Sequence, residues 1–184
     1  MSVLFNTHLS RIWNNAVSLY QRGDTDADCF PIENDLPLLA EFGMNKMDVF
    51  DYAEDWCLHQ EPDFMTFLLV HYERWNYFTE EQESVPSSQL LDSSSLPEKT
   101  DEAKGIVWLP RIIPKAKAKL RGELPTSVMY GCGGDRLFFQ TNQVNPAQFL
   151  RITRRFWNNE QAIINWVLDC KSSPKSHYYL LNLL

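Results

Sequence analysis

The 184-residue chain is predicted to be all-α: two pseudo-repeated helical units, each of three to four short helices, packed into one body. Three observations predict this. Apolar residues recur at steps of three and four along most of the sequence, the spacing of an amphipathic helix. No strong period-two stretch occurs, and "SVMY" at 127–130 is the one short strand candidate. The order of helix signals in the first half also returns about 100 residues later.

The elements follow in order. Leu9, Ile12, Trp13, Ala16, Val17 and Tyr20 share one face of a first helix that Gly23 ends. "ENDLPLLAEFG" is a short helix with Gly43 beyond its end, and Asn45 caps the helix in "NKMDVFDYAEDWCLH". A fourth helix starts near Pro62 and carries Phe64, Phe67, Leu68, His71 and Trp75 along one side. In the second half, Leu109, Ile112, Ile113, Ala116 and Leu120 fall on one arc. Pro114 lacks a backbone N–H and disfavours α geometry at Ile113, so this helix is expected to begin near Pro114, with Arg111 on an extended lead-in. The turn "GCGGD" leads into another short helix. Asn145, Pro146 and Gln148 supply a cap, a first-turn proline and a capping-box partner for the next. A last helix carries Ile163, Ile164, Trp166, Val167 and Cys170.

At an offset of 100, Leu9, Arg11, Ile12, Ala16, Asp35, Asn45 and Leu68 recur without a gap as Leu109, Arg111, Ile112, Ala116, Asp135, Asn145 and Leu168. A tandem duplication is the expectation. It divides the chain into an acidic unit at 1–78, a Ser/Glu/Pro-rich linker at 79–104 and a basic unit at 105–184. The linker is expected to lie against the fold.

Charge separates the halves further. The net charge is −7, with −13 over residues 1–94 and +6 over residues 95–184. Either the two halves dock through opposite charge or the basic half holds an anionic ligand. A pI near 5.1 argues against nucleic acid as the partner. Cysteines at 29, 57, 132 and 170 show no zinc-knuckle or haem-attachment spacing, and reduced thiols in the cytoplasm are expected. No run of eighteen apolar residues occurs, so no membrane span is expected. The apolar end "HYYLLNLL" is expected to dock on the fold or on a partner. No cofactor is implied.

The functional lead is "WLPRIIPKAKAKLRGELPTSVMYGCGGD", which places Arg111, Lys115, Lys117, Lys119 and Arg121 ahead of a glycine-rich turn. Successive glycine amides before a helix N-terminus can hold an anion, and an arginine can grip carboxylate or phosphate as a fork. The expected ligand site is a partly exposed concavity formed by Arg111, Lys115, Tyr130, Gly131, Gly133, Gly134 and Asp135. Two plainer readings stand beside it. In one, the glycines only turn the chain while Asp135 caps the helix; in the other, Arg111 and Arg11 each pair with the aspartate of their own half. No Gly-Lys-Ser/Thr closes the stretch, so a Walker loop is excluded. Cys132 reads as a packed thiol rather than a nucleophile, with no histidine near it in sequence. Asp55 and His59 stand four apart among further acids. They lack the Glu-x-x-His spacing of a di-iron bundle and read as a solvated acidic face, so no metal is expected.

The stretch from Leu109 to about Val167 resembles the bacterial domain-of-unknown-function family DUF5069. Leu109, Pro110, Arg111, Lys115, Ala116, Leu120, Gly122, Tyr130, Gly131 and Asp135 carry the resemblance. Pro114 stands where that family commonly has Asp, and Lys117 where it commonly has Arg. The resemblance implies no settled activity. Two functional expectations follow. One is a non-catalytic binding or adaptor protein that engages a protein partner, or a second copy of itself, through aromatic and acidic surface. The other is an enzyme or ligand-responsive protein acting on a small anionic metabolite at the basic segment.

Overall fold

Helix α1 (Val3–Gln21) buries Phe5, Leu9, Ile12, Trp13, Ala16 and Leu19 along one side, the stripe its sequence spacing dictates. It belongs to a computed structural model that describes residues 3–172, and the "HYYLLNLL" end lies outside the described residues. A 3-10 turn at Glu33–Asp35 leads into α2 (Leu36–Glu41), which carries a proline in its first turn. Helix α3 (Lys46–His59) opens with a capping box between Asn45 and Asp48. Helix α4 (Phe64–Glu80) is capped by Asp63, whose carboxylate accepts from the Thr66 N–H.

The second half carries α5 (Leu109–Arg121), α6 (Gly133–Asn142), α7 (Pro146–Arg155) and α8 (Glu160–Ser172). The chain is all-α, with eight α-helices among the described residues and one two-stranded hairpin. Asn145 caps α7 as Asn45 caps α3, and Leu9/Leu109, Ile12/Ile112 and Ala16/Ala116 are wholly buried at matching positions.

One sequence expectation is corrected. Helix α5 begins at Leu109, not near Pro114, and continues through that proline. Pro110 sits in the first turn, where no N–H is needed. Pro114 therefore deprives only the Pro110 carbonyl of its donor, while burial of Leu109, Ile112 and Ile113 favours the longer helix. Trp108 starts the helix at φ +73°, and its carbonyl accepts from the Arg111 and Ile112 amides. Residues 127–130 form no strand. The strands are β1 (Glu102–Ala103) and β2 (Ile106–Val107), joined by Lys104 and Gly105 with φ of 51° and 74°, the twist that two-residue hairpins favour.

Helix α4 ties the halves together by packing on α1, α5 and α7. One apolar core runs from Phe5 to Cys170. Acids of the first half meet bases of the second across the seam. Glu73 pairs with Arg151 at 2.5 Å, Glu80 and Glu81 with Arg154 at 2.6 and 2.9 Å, Asp55 with Arg136 at 2.5 Å, and Asp48 with Lys119. Much of the charge asymmetry is thus spent inside the molecule. The segment between the halves also lies on the fold: Leu91 N–H donates to the Glu123 carbonyl, and Leu96 is buried.

Candidate functional site

The glycine turn folds around Asp135. Its carboxylate accepts from Lys115 Nζ at 2.5 Å, from the Gly131 N–H at 2.9 Å and from Trp108 Nε1 at 2.9 Å. Lys115 also approaches Cys132 Sγ at 3.5 Å. Gly131 holds φ +103°, and a Cβ there would stand 2.9 Å from the Tyr52 hydroxyl. Gly134 is needed for a different reason: the Trp108 ring packs over it, and a Cβ would meet that ring at 2.4 Å. Asp135, three residues into the run that follows Cys132, reaches back to the chain before the helix and closes its N-terminal end.

Of the seven expected ligand residues, the fold brings Lys115, Gly131, Gly134 and Asp135 together, but not around an open concavity. Lys115 and Asp135 are 2% and 0% exposed. Tyr130 is buried beside them and aims its hydroxyl away, donating to the Pro146 carbonyl at 2.8 Å. Gly133 is exposed at the start of α6. Arg111 goes elsewhere: it donates to the Pro97 carbonyl at 2.6 Å and lies against the Trp108 ring. It does not pair with Asp135, whereas Arg11 does pair with Asp35 at 2.6 Å. The difference follows from Lys115, which fills the position beside Asp135.

A second polar cluster was not read from the sequence. The Lys119 ammonium donates to Asp48 Oδ1 and to His71 Nε2, the latter at 2.9 Å. His71 Nδ1 lies 2.7 Å from the Phe67 carbonyl, so Nδ1 carries the proton and the ring is neutral. Burial, helped by the Lys119 ammonium, lowers the His71 pKa to about 4. Burial opposes charge on Asp48 as well, yet the Lys119 ammonium beside it holds its carboxyl well below the usual range. Asp51, one turn further along α3, is pushed up to about 7 by burial and by the Asp48 charge. A small pit reaches this cluster between Asp51, Tyr52, Lys119 and Met129. The signal in the sequence was His71 itself, a polar group on the apolar stripe of α4, where an internal partner is required.

An open groove lies on the seam. A groove of about 580 Å³ runs between the Gln60–Asp63 turn, with Thr66, and the α6–α7 turn, with Arg136, Phe139 and Gln140. Its floor is apolar, from Pro62, Phe139 and Val144. Arg136 is held by Asp55 and donates to the Gly131 carbonyl at 3.0 Å. Gln140 donates to Glu61 at 3.2 Å. Asp55, expected on a solvated face, is thus committed to an ion pair across the seam. No group of three His, Cys, Asp or Glu side chains suited to a metal occurs among the described residues. No helix among them is long and apolar enough to cross a membrane.

No curated protein and no solved structure matches the chain. A family model does match, that of the domain of unknown function DUF5069, over residues 96–179. That span contains Arg111, Lys115, the glycine turn and Asp135, the residues on which the resemblance rests, so the match to the DUF5069 family covers the second half of the chain and its glycine turn.

Proposed function

We propose that this is a non-catalytic binding protein that engages a protein partner at the groove on the seam between its halves. One contrast carries the reading. The basic segment that could have held a small anion spends its central donors internally, on Asp135, Asp48, His71 and Pro97, while the groove stays open. A volume of about 580 Å³ is in the range of pre-formed ligand sites, and an apolar floor with a polar rim is their usual chemistry. The acidic character expected of the binding surface is kept at Glu61 and Asp63. The aromatic character is not, because the aromatic side chains among the described residues are buried or half-buried.

The test is a selection from a displayed random-peptide library against the wild-type protein and against Gln140→Trp, which fills the groove from an exposed position. Peptides selected by the wild type are expected to lose binding to Gln140→Trp while keeping it for a distant surface variant such as Glu83→Gln. Equal binding to both variants sinks the reading. So does stabilisation by inorganic phosphate or citrate that disappears in Arg111→Met, which would return the function to the basic segment.

A further inference from the structure

The charged residues that line the groove are unequal in sign, with Glu61 and Asp63 against Arg136. Four helix ends meet there: α3 and α6 finish at Gln60 and Gln143, while α4 and α7 begin at Asp63 and Asn145. The two N-terminal ends have their free amides occupied. Asp63 accepts from the Thr66 N–H at 2.8 Å, and Asn145 accepts from the Ala147 and Gln148 amides at 3.0 and 3.1 Å. The two C-terminal ends bring the negative poles of their helices, and the Trp56, Phe139 and Gln140 carbonyls there already accept from the Gln60, Val144 and Gln143 amides.

Side-chain charge has the same sign. Arg136 is the one cation among the lining residues, and Asp55 neutralises it at 2.5 Å with both groups largely covered. Glu61 stands further off, 3.7 Å from Arg136, and its side chain is 53% exposed. Asp63 is exposed as well, and its carboxylate accepts from the Thr66 N–H. The groove therefore presents the Glu61 and Asp63 carboxylates and two negative helix poles around an apolar floor.

Resting on the binding reading above, we propose that the occupant is a short extended segment of a protein partner bearing Lys or Arg. The methylene stems of such residues cover Pro62, Phe139 and Val144, and their cationic heads reach Glu61, Asp63 and the helix carboxyl ends. A groove of this size, about 580 Å³, takes a few side chains, not a docked helix.

The probes are three synthetic twelve-residue peptides with the same apolar residues, their remaining positions Lys/Arg, Gln or Glu. Each is titrated into the full chain labelled with nitrogen-15. The cationic peptide is expected to move the amide signals of Glu61, Gln140 and Gln143, and to bind at least about tenfold more tightly than the Gln peptide at low salt. That advantage should shrink as salt rises, and should vanish in a Glu61→Lys variant. Asp63→Asn keeps the helix cap and removes the charge, so it separates lost attraction from lost folding. Groove signals that move equally for the Gln and cationic peptides overturn the cationic occupant but leave a peptide-binding groove standing. A cationic peptide that moves signals elsewhere, while library-selected peptides ignore Gln140→Trp, overturns both.

Discussion

Lys115 and Asp135 face each other at 2.5 Å with neither side chain reaching solvent, and this pair closes the turn where an anion site was expected. Removing one partner leaves the other charge buried and alone. Lys115→Met should cost about 3–5 kcal/mol in urea unfolding, as breaking buried pairs does elsewhere. The double variant Lys115→Met, Asp135→Leu should recover a good part of that loss, although Trp108 Nε1 and the Gly131 amide then also lack their acceptor. A single variant as stable as the wild type would mean that Lys115 is held for a ligand and not for the fold.

Arg111 gives the complementary case. Its hydrogen bond goes to the Pro97 carbonyl, in the segment that joins the halves, and the group is half-buried. Arg111→Met should cost only about 1–2 kcal/mol, the scale of one charged hydrogen bond. The loss should be local. Amide exchange is expected to quicken over residues 96–101 while the Lys115 and Asp135 surroundings stay protected. Loss of protection across α6 as well would show that Arg111 supports the glycine turn directly.

These residues also mark what the sequence could and could not convey. The caps at Asn45 and Asn145 and the stripe of α1 are local, so spacing alone was enough. The start of α5 was misplaced because proline rules weigh backbone geometry and omit the burial of Leu109 and Ile112. Arg111 was misdirected because its acceptor is a carbonyl of the linker, and carbonyls are the same in every sequence. Asp48 and Lys119 are 71 residues apart, and His71 and Lys119 are 48 apart. The first pairing joins α3 to α5 and the second joins α4 to α5, meetings of helices that no local pattern encodes. The groove was equally illegible, since its two walls come from different halves.

Gly134 offers a steric test of the turn. Its backbone is helical, so alanine is conformationally acceptable there, and only the Trp108 ring objects. Gly134→Ala should push the indole off the turn and lengthen its bond to Asp135, at a cost of about 1–3 kcal/mol, typical of overpacking. Gly133→Ala, one residue earlier and exposed, meets only the end of Arg136 at 3.8 Å and should be close to neutral. Equal effects at the two positions would mean that backbone entropy and not the tryptophan decides.

Asp51 and His71 titrate against one another in the same window. The folded Asp51 pKa is raised to about 7 from an ordinary 3.8, so its contribution is complete below about pH 4 and is lost as pH rises toward 7. The folded His71 pKa is lowered to about 4 from 6.5, so the unfolded chain binds more protons between those values and stability gains as pH rises through them. Over that shared interval the two effects oppose, and the wild type should show little net pH dependence. Asp48, with its pKa depressed, adds a loss only as pH falls below about 4. Asp51→Asn removes one side of this balance. Its stability should match the wild type near pH 4.5 and exceed it at pH 8 by about 1–2 kcal/mol, allowing for the partial exposure of Asp51. Urea unfolding at those two pH values reads the difference directly. An advantage for Asp51→Asn that is the same at both would show that the carboxyl titrates normally in the folded protein.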